Sequence, residues 1–321
     1  MTTTSPSEAA GPPEPSADAE LTADGIPLAI EHARSMRLEM VYSPDGPDTD
    51  ALSEEKLRGL AYGSAFLYKT AERTYLVTAR HNLTGRHPDT NDWLGEYSLS
   101  PTHLRVTILA KPSGQGWRLT PSDVGDHVAA VEMRAKAFLI PLIGEDWAPI
   151  WLEHPLHGAA MDVAALPFEL ADDELLIESW SSPSTATNPT AVKWPDLAPG
   201  QDLFVVGYPF SLASGPLFPL WIRGTIASEP RFGYAVNDQI LPLMLVDART
   251  RKGQSGSAVI RNKPAGTVVP TVGGSIGITA QTTSQLVGVY SGRTSDESDL
   301  GFVWRIDEVE ILCQRGVRAS A

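Results

Sequence analysis

The stretch RKGQSGSAVI, Arg251–Ile260, decides how the rest of the chain is read. Two glycines flank a small hydroxyl residue immediately ahead of an apolar run. Such a stretch is either a plain turn or a serine held within reach of solvent, with backbone N–H groups free to meet a ligand. Working outward, short β-forming runs lie on both sides. DLFVVGYPF, LWIRGTIAS and ILPLMLVDA precede it, and QLVGVYSG and GFVWRI follow. Gly, Pro, Asp and Asn clusters separate them, which predicts strands and turns.

The first half reads the same way. GSAFLYKT, RTYLVTAR, HLRVTILAK, KAFLIPLI and MDVAALPF have strand length and β-formers, and SMRLEMVYS alternates well enough for one more. SPDGPDTDALSEEKLRG is a polar connector with room for a short helix at its end, and the Pro/Ser/Thr-rich SSPSTATNPTAVKWPDLAPGQ crosses between two strand-rich runs. Only RIDEVEILCQRG has helical spacing, with acid near its start and Arg-Gly at its close. The expected fold is all-β, two packed β-barrels or one large sandwich, with a short C-terminal helix. The expected division is a disordered tail to residue 25, a first barrel over 26–185 and a second over 186–321. The tail, rich in Pro, Ser, Thr, Ala and acid, offers too little apolar surface to offset its ordering entropy.

Composition bounds the partners. The net charge of −14 argues against nucleic acid, which needs a concentrated basic surface, and against an anionic membrane face. The single cysteine, Cys313, precludes an internal disulfide. With no signal-like start and no spanning apolar run, the chain is expected in the cytoplasm.

Three loaded positions stand in the order His, Asp, Ser: His81 after a strand in YLVTARHNL, Asp162 opening an apolar strand in AAMDVAALPF, and Ser255. A serine hydroxyl is a weak nucleophile and needs an imidazole to take its proton. The imidazole needs a carboxylate on its other nitrogen, and the oxyanion that forms needs N–H donors. Each residue alone is ordinary, a loop histidine, a turn aspartate, a glycine turn. Their order and contexts together carry the reading. An α/β-hydrolase order is excluded because no histidine follows Ser255, and a subtilisin order lacks a suitable Asp before His81. Ser257 begins the following strand and is the poorer nucleophile. EHPLHGAAMD gathers Glu153, His154, His157 and Asp162 without a strong ligand pattern, so neither metal nor cofactor is expected.

At these residues the sequence resembles the trypsin-like, chymotrypsin-fold serine peptidases, nearest to the bacterial HtrA-type and glutamyl-endopeptidase-like groups. GSAFLY (63–68) is similar to their strand before the histidine, TARH (78–81) to T-A-[AG]-H, DVAAL (162–166) to D-[IV]-A-[LV]-L, and GQSGSA (253–258) to G-[DN]-S-G-[GS]-P. The resemblance covers about residues 60 to 310. It implies two six-stranded Greek-key barrels, with His81 as general base, Asp162 as its partner and Ser255 as nucleophile. The Gly253 and Ser255 N–H groups become the oxyanion hole, and Arg249, Thr250 and Gly292 (in GVYSG) the specificity pocket. Protein or peptide is the implied substrate, with a regulatory protein partner open and a catalytically inactive scaffold the competing reading.

Departures are informative. Arg80 replaces a small residue, Ala258 a proline, and Gln254 the acid that pairs with a freed N-terminus in zymogen-activated members. Competence without such cleavage is therefore expected. GRHPDTNDWLGEYSLS reads as an inserted loop, and the long interval before Asp162 keeps Asp126 and Asp146 open as alternative partners of His81. Arg249, Arg251, Lys252 and Arg293 point to acidic substrate side chains, with a small or apolar preference still open. No C-terminal PDZ-like module is expected.

Overall fold

The computed structural model describes residues 21–23, 26–28, 30–46, 54–110, 119–121, 128–131, 135–169, 175–181, 188–215, 217–295 and 297–320. Six principal strands make the first half: β1 (Ser35–Tyr42), β2 (Arg58–Lys69), β3 (Thr74–Thr78), β4 (His103–Leu109), β5 (Ala135–Pro141) and β6 (Ala164–Pro167). Six make the second: β7 (Asp202–Gly207), β8 (Leu220–Ile226), β9 (Leu243–Ala248), β10 (Ser257–Lys263), β11 (Thr283–Arg293) and β12 (Leu300–Arg305). The second half closes as a barrel in the order β7-β8-β9-β12-β11-β10. The first half has the order β5-β4-β1-β2-β3-β6, the same sequence of neighbours opened at one seam.

That seam is where the structure departs from two closed six-stranded barrels. β5 and β6 do not pair. The backbone after β5 returns, with the Ile150 N–H donating to the Leu142 carbonyl at 3.0 Å, and Leu152–Glu153 then pairs with β6. The outer edge of Leu152–Glu153 is covered by Val317–Arg318, which comes from beyond the second barrel. With Ser179–Ser181 lying parallel to β2, the first-half sheet has nine strands. Arg318 fastens the returning segment through Asp146 at 2.6 and 2.7 Å and through the Ala148 carbonyl at 3.1 Å.

Among the described residues, buried apolar side chains form four clusters, the smallest around Tyr208, Leu217 and Phe218; the other three are the main cores. One lies inside the first sheet around Leu38, Leu76 and Leu104, and one inside the closed barrel around Val205, Met244 and Val259. The third joins the halves: Phe66, Val77 and Met161 meet Ala258, Ile260 and Trp304. Each fully buried large side chain contributes about 1.5–3 kcal/mol relative to exposure. The helix α2 (Ile306–Arg315) adds Val309, Leu312 and Cys313 to that third core. These positions share one helical face, Asp307 and Glu308 sit in the first turn, and Arg315 in the last, as the helix dipole favours.

The polar connector after β1 ends in a short 3-10 turn, Glu54–Lys56. The tail expected to be disordered falls outside the described residues up to residue 20. Leu21–Ala23 pairs with Ile26–Leu28. Among the described residues no helix is long and apolar enough to cross a membrane.

Candidate active site

Strand register brings His81 and Asp162 together. β3 and β6 are antiparallel neighbours, with Thr78 opposite Ala164. The residues just after β3 therefore meet those just before β6. β3 runs directly into the one-and-a-half-turn helix α1 (Arg80–Thr84), which Gly85 closes at φ 69°. His81 sits in its first turn. Its Nδ1 lies 2.7 Å from Asp162 Oδ2, and its backbone N–H donates to Asp162 Oδ1 at 3.0 Å. The buried carboxylate thus grips ring and backbone of the same residue. It also fixes the proton on Nδ1 and leaves the Nε2 lone pair free.

The alternative carboxylates are placed elsewhere. Asp146 is on the surface with Arg318, and Asp126 lies outside the described residues. Arg80, the departure beside the histidine, turns away to Glu153 at 2.6 Å.

Ser255 enters from the other half, in the turn ahead of β10. It shares with His81 and Asp162 a cleft of about 520 Å³ between the two halves. His81 Nε2 makes no hydrogen bond to the Ser255 hydroxyl in this structure; such bonds are often long until substrate is bound. Around Ser255 every carbonyl is held. The Lys252 carbonyl accepts Phe210 N–H at 2.6 Å, and the Gln254 carbonyl accepts Ser257 N–H at 2.9 Å. The Gly253 carbonyl accepts the Ser64 hydroxyl at 2.8 Å. The Ser255 carbonyl accepts Ser64 N–H at 2.9 Å and Asn82 Nδ2 at 3.0 Å. The N–H groups of Gly253 and Ser255, by contrast, donate to no acceptor among the described residues, and both residues line the cleft. Two free donors beside a hydroxyl can bind an oxygen that gains negative charge. Gly253 has φ 94°, and a side chain there would press on the Tyr208 carbonyl at 2.5 Å, so only glycine fits.

Gln254, where an acid was noted as missing, is fully buried and its Oε1 accepts Arg251 N–H at 2.8 Å. The turn is thereby tied within itself.

The expected pocket residues separate. Gly292 lines the cleft, whereas Arg249 is exposed and its side chain is not part of the lining. Thr250 is fully buried behind Tyr290, with its Oγ1 2.5 Å from the tyrosine hydroxyl. Tyr290 therefore forms the wall that Thr250 was expected to form. Burial pushes its hydroxyl up to about 12, so it stays a neutral donor at pH 7. Of the cations noted in sequence, Arg251, Lys252 and Arg293 do line the cleft. Arg251 also reaches Asp299 at 3.6 Å. Sequence reasoning missed Tyr290, Ser64 and Asn82 as site residues. The last two lie in the quoted motifs GSAFLY and TARHNL, as polar residues where a core-facing strand and helix would take apolar ones.

His154, His157 and Glu308 lie within 4.8 Å of one another. His154 Nδ1 accepts the N–H groups of Leu156 and His157, each at 3.2 Å. The ring proton therefore belongs on Nε2, which faces Glu308 at 3.2 Å. The trio is thus a close polar contact between the loop before β6 and α2, in which His154 Nε2 lies 3.2 Å from Glu308 without a hydrogen bond to it.

The family described as trypsin-like peptidase domain matches residues 63–269. No curated protein matches the chain at significant similarity. Solved structures similar to it include Rv3671c from M. tuberculosis H37Rv in the inactive form of a serine-to-alanine mutant, at 15% identity and a TM-score of 0.38 over 88% of each chain. The active form of that protease is 14% identical with a TM-score of 0.40, over 90% of this chain and 84% of that one. The HtrA-type protease AlgW with a tripeptide is 14% identical with a TM-score of 0.41, over 89% of this chain and 63% of its own.

Proposed function

Because the chain belongs to the trypsin-like peptidase family, we propose that it is a serine endopeptidase whose His81, Asp162 and Ser255 act as one unit. The observation that carries this is the His81–Asp162 pair at 2.7 Å facing the same cleft as Ser255 and two unengaged N–H groups. In the proposed first step Ser255 Oγ attacks the scissile carbonyl carbon and its proton passes to His81 Nε2. Asp162 stabilises the imidazolium, and the Gly253 and Ser255 N–H groups hold the oxyanion. The C–N bond breaks as His81 returns the proton to the departing amine. Water then attacks the acyl-enzyme, its proton goes to His81, and the acid leaves as Ser255 recovers its hydrogen.

Gln254 supports competence without cleavage of an N-terminal segment, since its Oε1 is engaged inside the turn by the Arg251 N–H and the neutral amide, unlike an acid, brings no charge that needs a freed N-terminus; its buried Nε2 has no partner among the described residues. The cationic rim of Arg251, Lys252 and Arg293 supports a preference for acidic substrates, through charge-assisted hydrogen bonds. A peptide library with preferred cleavage after Lys overturns that preference. Restraint by narrow specificity or a protein partner, in the cytoplasm, completes the proposal. Rapid, broad digestion of unfolded casein by the isolated protein contradicts it.

The inactive-scaffold alternative has one observation in its favour, the missing bond between His81 and Ser255. Reaction with a fluorophosphonate probe separates the two. The peptidase predicts a label mapped to Ser255 and lost in Ser255→Ala; the scaffold predicts folded wild-type protein without label.

A further inference from the structure

Glycine at 253 permits the turn around the nucleophile but does not enforce it. A residue without a side chain at φ 94° has neighbouring peptide conformations open to it: rotation of the peptide before it would turn its own N–H away from the cleft, and rotation of the peptide after it would break the link to the Ser255 N–H. Something outside the turn must select one conformation. The hydroxyl of Ser64 is placed to do so. It is fully buried, donates to the Gly253 carbonyl at 2.8 Å and accepts the Tyr208 N–H at 3.0 Å. Ser64 belongs to β2 in the first half, whereas both its partners belong to the second. Its backbone N–H also holds the Ser255 carbonyl at 2.9 Å.

We infer that Ser64 is a positioning residue for the proposed oxyanion donors: its hydroxyl, reaching across from the first half, holds the Gly253–Gln254 peptide, the link between the two peptides that carry the donors, so that the N–H groups of 253 and 255 converge on one point of the cleft. The inference rests on the proposed peptidase function. Without the hydroxyl, the Gly253 carbonyl and the Tyr208 N–H are both left buried and unpaired. The carbonyl can regain a partner only if the Gly253–Gln254 peptide rotates; that peptide carries the Gln254 N–H, which donates to the Arg251 carbonyl at 3.2 Å, and joins the two donor-bearing peptides, so the rotation breaks the turn that makes the two N–H groups converge. Asn82 acts on the Ser255 carbonyl and cannot replace Ser64 at Gly253.

The test uses the whole chain and a fluorophosphonate probe, with Ser64→Ala and the volume-conserving Ser64→Cys. The saturating labelling rate and the half-saturating probe concentration are measured separately. Each is corrected for folded protein by circular dichroism. Loss of a complete oxyanion donor costs about 10²–10³-fold in rate, so a donor left mobile should cost about 10–100-fold. The expected result is that fall in saturating rate for Ser64→Ala, an intermediate value for Ser64→Cys, and an unchanged half-saturating concentration. If Ser64→Ala does not fold, the same split is required of Ser64→Cys. Saturating rates within twofold of wild type, or a fall that vanishes on correction for folded protein, overturn the inference while the peptidase reading stands. Wild-type protein that takes no label overturns both.

Discussion

Gly256 has no room for any side chain. It sits at φ 86°, and a methyl group there would collide with the Ser64 carbonyl and the Thr78 hydroxyl. Left-handed backbone costs an alanine about 1–2 kcal/mol, and forced overpacking adds about 1–3. Gly256→Ala is therefore expected to lower unfolding free energy by about 3 kcal/mol in urea titration; a change under about 1 kcal/mol contradicts the packing described. His32 gives a second residue-scale expectation. Burial pushes its pKa down to about 4, with the ring stacked on Phe218 at 4.5 Å between centroids. The unfolded chain, with an ordinary value near 6.5, binds the proton first. Stability is thus complete above about pH 6.5 and falls as pH drops towards 4, by up to about 3 kcal/mol. His32→Phe should flatten the thermal-midpoint curve over that window; an unaltered slope contradicts it. At this scale the meeting of His81 with Asp162, and the place of Ser255 and Gly253 on the same cleft, were legible, because each residue sits in a recognisable local pattern. Thr250 and Tyr290 were not separable in that way. They lie 40 residues apart in the chain, and Tyr290 lines the cleft because its ring packs over the buried Thr250, a pairing that local residue pattern does not record.

Among the elements, those with a strong pattern could be read directly. α2 occupies Ile306–Arg315, inside the stretch whose 3.6-residue spacing predicts it. β2, β3, β7 and β10 follow their apolar runs. Leu152–Glu153 and Val317–Arg318 carry no pattern, because a two-residue strand exists only through its partner. Yet they cover the seam in the first sheet, and the Ala319 N–H adds a bond to the Trp151 carbonyl at 3.0 Å. Removing residues 317–321 should lower the thermal midpoint by about 5 °C, on the order of 2 kcal/mol for a protein of this size. An unchanged midpoint would show that the returning strand contributes nothing. The inserted loop over 85–100 meets the hairpin of Tyr234–Val236 and Gln239–Leu241 through Asn237 and Asp89 at 3.3 Å, on the surface. The segment was legible as a loop, from its Gly, Pro, Asp and Asn content. Its contact across the cleft was not, since it joins residues 148 apart in sequence.

In the whole molecule, the third core makes the two halves thermodynamically one. Phe66 and Met161 pack with Ile260, Trp304 and Leu312, so neither half can unfold without exposing apolar surface on the other. A single calorimetric transition is expected, with calorimetric and van't Hoff enthalpies equal. Two resolved transitions would mean that this core does not couple the halves. Strand spacing made an all-β plan of two barrels or one sandwich legible, the motif resemblance chose the barrels, and the open seam was not legible, because closure depends on which edges meet. The strand that covers that seam also sets an order of events during synthesis. Val317–Arg318 is translated after both halves, so the edge beside Leu152–Glu153 stays bare while those residues are still within the ribosome. The scaffold that carries His81 is thus finished last, although most of it is made first, and a growing chain keeps its full architecture in abeyance until residue 318 emerges.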